Sequence, residues 1–151
     1  MNDFTIEVDT ALVDDALRRL VARSNNLRPV LLAIGEDLTE STKQRFSSLQ
    51  DPDGTPWKPN SAITVAWKGH DIQLTGKTHQ LRDSINYRIG ETGVEIGSPM
   101  KYAATQQFGE RGHLWHELMV KIDIPARAFL GLSFEDETRV LADIRDYLDI
   151  V

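Results

Sequence analysis

The segment "DPDGTPWKPNS", Asp51–Ser61, constrains the fold more than any other part of the chain. Three of the six prolines fall within it, together with a glycine and Trp57. Proline fixes φ and lacks an N–H, so this segment cannot continue a helix or a central strand. A connection of this length is normally small and polar, and its large indole predicts a rigid loop that presents Trp57 to another polypeptide. The alternative is that the indole folds back into its own core.

The bulk composition predicts one ordinary globular domain over residues 1–151. Charged residues make up 26% of the chain and hydrophobic residues 40%, which is typical of a globule. Cysteine is absent, which excludes disulfides, thiol nucleophiles and cysteine-bound zinc. No run approaches the roughly 20 apolar residues of a membrane span. The net charge of −6 argues against binding nucleic acid through its phosphates, which requires clustered Lys and Arg.

The first half of the chain is predicted to be mainly helical. Alternating apolar residues predict a short strand over residues 4–8. Apolar residues at helical spacing then predict one helix over about 10–26 and a stronger one over 29–48. Ser61 is positioned to cap one or two further helical turns, and a short helix is expected near Leu81.

The second half changes from helical to alternating periodicity. "INYRI" and "VEIGS", joined by residues 90–93, predict a β-hairpin. A short helix is expected before Gly109, followed by chain that is mostly irregular or weakly extended. Ser133 and Asp136 resemble a capping box at the start of a last helix, which we expect to pack on the 29–48 helix. The predicted class is α+β, with N-terminal helices, a central hairpin, long irregular loops and a C-terminal helix.

The most catalytic-looking motif is "HLWHE", residues 113–117. Histidines at i and i+3 with a following carboxylate can bind a metal ion from one helical face. His113, His116 and Glu117 would then make a metal-dependent hydrolase, although the order is not that of known zinc peptidase motifs. The competing interpretation has Trp115 anchoring a loop with both histidines in solvent. No glycine loop or nucleophile elbow is recognisable, so the sequence favours a protein that is not an enzyme and needs no cofactor.

Aromatic residues in turn-rich segments favour a protein-binding role. Tryptophan is a frequent hot-spot residue at interfaces, and proline-stiffened loops lose little entropy on docking. The predicted interaction loops are residues 49–61 and 109–127. The interface candidates are Asp51, Pro52, Asp53, Pro56, Trp57, Trp67, Tyr102, Phe108, Trp115, Arg127 and Phe129.

Several of these segments together resemble the phage virion morphogenesis family. A helix ending in S-T-x-x-R-F and running into D-P-D-G-x-P-W corresponds to residues 41–57. "LTGKTHQLRDSINYRIGETGVEIGSPMKYAATQQFGE" is similar to further family signatures, and "IPARAFLGLSFED" looks like the family's closing motif. The likeness runs from about residue 34 to 148. The segment between Gly109 and Ile124 is longer than the family pattern, and "KTHQ" before Leu81 is also extended.

The resemblance implies a structural virion component at the head–tail junction or upper tail, present in the host cytoplasm during assembly. It implies a homo-oligomeric ring, with a hexamer as one possible size, that contacts neck, connector, tail-tube or terminator proteins. DNA would pass through the ring if it lies on that path, without sequence-specific or membrane binding. An acidic protein-binding module unrelated to virions is the alternative from another class.

Overall fold

The computed structural model describes residues 10–23, 25–76, 78–91 and 93–150. The predicted strand over residues 4–8 lies outside these ranges. In chain order the elements are α1 (Ala11–Arg23), α2 (Arg28–Ser48), α3 (Ala62–Lys68), α4 (Gln80–Ser84), β1 (Asn86–Ile89), β2 (Val94–Gly97), α5 (Ala103–Phe108), β3 (Glu110–Trp115), β4 (Val120–Ile124) and α6 (Phe134–Ile150). The predicted α+β class is confirmed. No helix in the described ranges has the length and apolar character needed to cross a bilayer.

Helix α2 is the central element, because it takes part in both hydrophobic clusters. The first half of α2 packs with α1 and α6, and this cluster buries Val13, Leu20, Leu27, Val30, Leu31, Ile34, Val140 and Ile144. Its last turn contributes Phe46 to a second cluster, which also buries Trp57, Leu81, Ile85, Ala103, Phe129 and Leu130. The predicted packing of the C-terminal helix on the 29–48 helix is confirmed.

Local signals in the sequence set both ends of α3 and the start of α6. The hydroxyl of Ser61 accepts a hydrogen bond from the N–H of Thr64 at 3.3 Å, so it caps α3 as expected. Gly69 ends that helix with φ +81°. At α6, the N–H of Asp136 donates to Ser133 Oγ, and the N–H of Ser133 donates to Asp136 Oδ2, both at 3.0 Å. The predicted capping box is therefore confirmed.

The central hairpin has the predicted position. Strands β1 and β2 pair antiparallel from Asn86↔Gly97 to Ile89↔Val94, and the sheet packs against α2. Gly35 of α2 lies beneath Tyr87 of β1, where an added Cβ would come within 2.4 Å of the ring. The glycine that interrupts the apolar face of α2 is therefore what lets the sheet approach the helix.

The prediction that the chain after Gly109 is mostly irregular or weakly extended is confirmed only in part, because residues 125–133 contain no helix or strand whereas residues 110–124 form a paired hairpin. Strands β3 and β4 form a second antiparallel hairpin, with His113↔Ile122 and Trp115↔Val120 as pairs. A register irregularity between Glu110 and His113 breaks the two-residue alternation by which a strand is recognised. The Asp123 carboxylate accepts a hydrogen bond from the Gly112 N–H at this irregularity, at 2.8 Å.

Candidate assembly interface

The proline-rich segment folds into a tight, internally bonded loop. One carboxylate oxygen of Asp51 accepts hydrogen bonds from the N–H groups of Asp53 and Thr55, each at 2.9 Å. Gly54 takes φ +85° at the turn, a conformation that costs glycine little. The N–H of Trp57 donates to Leu49 O at 2.8 Å and returns the chain to the end of α2. The aspartates and prolines that define the motif therefore serve a rigid local structure.

The expectation that this loop presents Trp57 at the surface is wrong. Its side chain is only 6% exposed, and its ring meets Phe46 edge-on at 5.5 Å between centroids. The indole N–H donates to Ala128 O at 2.8 Å. A buried indole is stabilised when both its apolar body and its N–H find partners in the core, so the alternative of a core tryptophan holds.

Arg127 and Phe129 are also internal, as parts of an extended segment that crosses the core. Phe129 is fully buried. Arg127 donates to the backbone carbonyls of Lys58 and Pro59 at 2.7 and 2.9 Å. It therefore anchors the far end of the proline-rich loop. Burial lowers the pKa of Arg127, and the charge of Asp71 partly offsets this.

Gln107 of α5 holds the same segment from the other side, and sequence reasoning missed it. Its amide oxygen accepts hydrogen bonds from the N–H groups of Phe129 and Leu130 at 3.0 Å each. Its amide nitrogen donates to Leu130 O at 3.1 Å. The sequence signal was the pair Gln106 and Gln107 in "YAATQQFG". Adjacent side chains of a helix point about 100° apart, so these two differ in burial.

The other two tryptophans contact each other. Trp67 of α3 and Trp115 of β3 meet edge-to-face, with their ring centroids 5.0 Å apart. Both are half-buried. Neither β3 nor β4 packs broadly on any other described helix or strand, and this aromatic pair is where the hairpin contacts α3. The hairpin, residues 110–124, is called the arm below.

The remaining interface candidates differ in exposure. Asp51 and Pro52 are half-buried, and Pro52 lies against Gly131. Asp53 and Pro56 are exposed, as are Tyr102 and Phe108, the last being 55% exposed. Partial burial raises the pKa of the Tyr102 phenol. Exposed candidates therefore lie at two places, the tip of the proline-rich loop and the ends of α5.

The histidine motif does not have the geometry that a metal site needs. His113 lies in strand β3 and His116 in the turn that follows it, so they do not share a helical face. His113 Nδ1 lies 2.9 Å from Glu110 Oε2 instead. Within the described ranges, no group of three or more His, Cys, Asp or Glu side chains could hold a metal ion.

Comparison with known proteins agrees with the resemblance. The chain matches the phage virion morphogenesis family over residues 8–149. It is 29% identical over 150 residues to "Mu-like prophage FluMu G protein 2" of Haemophilus influenzae, covering 97% of this chain and 96% of that protein. It is 31% identical over 153 residues to "Putative capsid assembly protein G" of Escherichia phage Mu, covering 95% and 92%. No solved structure matches the chain significantly.

The motifs that carry the resemblance make the contacts that hold this fold together. In the S-T-x-x-R-F motif, Arg45 donates a hydrogen bond to Phe129 O of the closing motif, and the Phe46 ring packs against the Phe129 ring. The indole N–H of Trp57, in D-P-D-G-x-P-W, donates to Ala128 O. Three separate stretches of sequence thus meet in one buried assembly. With the family match over nearly the whole chain, this shows that the protein belongs to the phage virion morphogenesis family.

Proposed function

We propose that this protein is a non-catalytic structural component that forms a homo-oligomeric ring at the head–tail junction or upper tail and is needed to join heads to tails. The family match over residues 8–149 is the observation that carries the proposal. The relative from phage Mu is named as a capsid assembly protein, which supports a role in building the particle.

The distribution of apolar surface supports a role in contacts between proteins. Phe108, Met119 and Phe134 are all large apolar side chains that are more than half exposed. They lie at α5, at the turn of the arm and at the start of α6, on three different parts of the surface. A component held between neighbouring subunits and adjoining rings needs several such contact areas. The partners proposed are further copies of this chain and the neighbouring neck, connector or tail proteins.

The arm is a second candidate surface for contact with other virion proteins. A two-stranded hairpin is at best marginally stable alone in water, and this one contacts α3 through Trp67 and Trp115 without packing broadly on another described helix or strand. Its apolar side chains Val120, Ile122 and Ile124 are only half-buried. Docking on an adjoining virion protein would cover them.

The test is removal of the gene from the phage or prophage that encodes it. The expected result is that filled heads and separate or malformed tails accumulate, seen by electron microscopy, with few infectious particles. Purified protein added to that lysate should restore joined particles, because assembly of preformed parts needs no new synthesis. A normal yield of infectious particles without the gene would refute the proposal.

Measuring the metal bound to the purified protein distinguishes a metal-dependent hydrolase from the structural role. That alternative requires purified protein to retain a stoichiometric metal that is lost in the His113→Ala/His116→Ala variant. The structural role predicts no such difference between the two proteins.

A further inference from the structure

An open groove of about 820 Å³ lies between the end of α2, the proline-rich loop and the start of α6. Three carboxylates line it, those of Asp51, Asp53 and Glu135. Arg45 also reaches it, but its guanidinium is paired with Asp136. Phe134 stands at its edge with 81% of its side chain exposed. The groove is therefore negatively charged and carries an apolar anchor.

A surface of the opposite kind lies on α1. Arg18, Arg19 and Arg23 are all exposed on this helix, as are Asp14 and Asp15. Arg19 pairs with Asp15 on the same helix at 2.9 Å. The exposed side of α1 therefore carries a net positive charge, from three arginines and two aspartates.

These two surfaces lie at opposite ends of the α2–α6 pair. Arg45 near the end of α2 contacts Asp136 in the first turn of α6. Tyr147 near the end of α6 contacts Asn26, which directly precedes α2. Leu20 of α1 is buried with Leu27 and Val30 at that second end. Because α2 has 21 residues, the two ends are about 30 Å apart at 1.5 Å per residue.

We propose that the acidic groove binds the arginine-bearing face of α1 from a second copy of this chain. A chain cannot fill its own groove, since its α1 is docked at the far end. Contact between two different surfaces of identical copies is heterologous, and such contacts generate rings or filaments. The groove thus becomes one side of the contact between subunits, in which its carboxylates pair with arginines of α1. The inference rests on the proposed function and assigns that role to particular side chains.

The charges on both sides allow a decisive exchange experiment. The full chain is measured by sedimentation velocity over a range of concentrations, as wild type, as Asp53→Lys/Glu135→Lys and as Arg18→Glu/Arg23→Glu. Each reversal places like charges across the contact, so each variant alone should associate at least about tenfold more weakly. An equal mixture of the two should recover association, because the lysines of one variant then meet the glutamates of the other.

Two controls isolate the groove from general charge effects. Glu137→Lys changes the first turn of α6 outside the groove lining, and Arg111→Glu changes an exposed arginine of the arm. Both should associate like wild type. Raising NaCl from about 0.1 M to about 1 M shortens the Debye length from about 10 Å to about 3 Å and should weaken wild-type association. Circular dichroism confirms that every variant is folded. If a reversal is not, the charge is removed instead, by Asp53→Asn/Glu135→Gln in the groove or by Arg18→Gln/Arg23→Gln on α1.

The inference is overturned if the wild-type chain stays monomeric throughout, if the reversals have no more effect than the controls, or if the mixture does not recover association. The proposed function is judged separately, by adding each variant to the lysate that lacks the gene. Loss of association with full recovery of infectious particles would support the groove contact and refute the ring's role in joining. Reversal variants that still associate like wild type and still restore infectious particles would refute the groove contact and support the role in joining.

Discussion

Arg45 of α2 and Asp136 of α6 form an ion pair that solvent barely reaches, with side chains 7% and 6% exposed. The same guanidinium donates to Phe129 O at 2.8 Å, and the same carboxylate accepts from the N–H of Ser133. One pair of charges thus joins two helices, the cap of α6 and the segment that crosses the core.

Replacing Arg45 with methionine should destabilise the protein by about 3–5 kcal/mol, because it leaves the Asp136 carboxylate buried without its cation. Arg88→Met is the matched control. Its partner Glu95 is exposed, so the expected cost is only about 0–1 kcal/mol. Urea denaturation gives both values, and equal effects would show that the Arg45 pair is no stronger than a surface pair.

Trp57→Ala should lower the free energy of unfolding by about 3–5 kcal/mol, because it empties the space between Phe46 and the 127–131 segment. Trp57→Phe should cost less, since the ring is kept and mainly the bond to Ala128 O is lost, worth about 1 kcal/mol. If the Trp57→Ala protein is folded, has unchanged stability and fails only to associate, the indole is an interface residue and not a core residue.

Gly35→Ala tests the closeness of α2 and β1. Alanine normally stabilises a helix interior by about 1 kcal/mol relative to glycine. Here the added methyl would meet the Tyr87 ring, and overpacking should reverse the sign to a loss of about 1–3 kcal/mol. Gly97→Ala has no neighbour within 4 Å of the new Cβ and should be tolerated. Adding Tyr87→Ala to Gly35→Ala should remove the clash, which a double-mutant cycle would measure.

Asp143 of α6 should make the stability pH-dependent. Burial raises its pKa from 3.8 to about 6, and the nearby Asp37 carboxylate acts in the same direction. Between these two pH values the folded chain binds more protons than the unfolded chain. The stability that protonated Asp143 contributes, relative to its ionised form, is therefore fully present below pH 3.8 and is lost as the pH rises through about 6. Asp143 is half-buried, and solvent screening limits the effect to about 1 kcal/mol.

The Asp143→Asn variant should therefore be more stable than wild type at pH 7.5 and nearly equal to it at pH 4. Thermal unfolding at a series of pH values measures the difference, with the exposed Asp149→Asn as control. A constant difference between wild type and Asp143→Asn across this pH range would exclude the raised pKa.

The sequence by itself determined the local structure. Helical spacing, with helix-end signals such as Ser61, Gly69 and the Ser133–Asp136 pair, predicted the positions of the helices. The 90–93 turn predicted the position of the first hairpin. These features depend on residues a few positions apart, so their physics is already present in the sequence. The family resemblance was also readable, because it rests on the order of short motifs.

Only the tertiary structure decided which aromatic and charged side chains are buried. Trp57 looked like a surface anchor because its partners Phe46 and Ala128 come from distant parts of the chain. The roles of Arg45 and Gln107 depend on the 127–131 segment for the same reason. The acidic groove exists only because antiparallel packing brings residues 51–53 beside the start of α6. Burial and charge grouping follow from contacts between residues far apart in sequence, which no local pattern encodes.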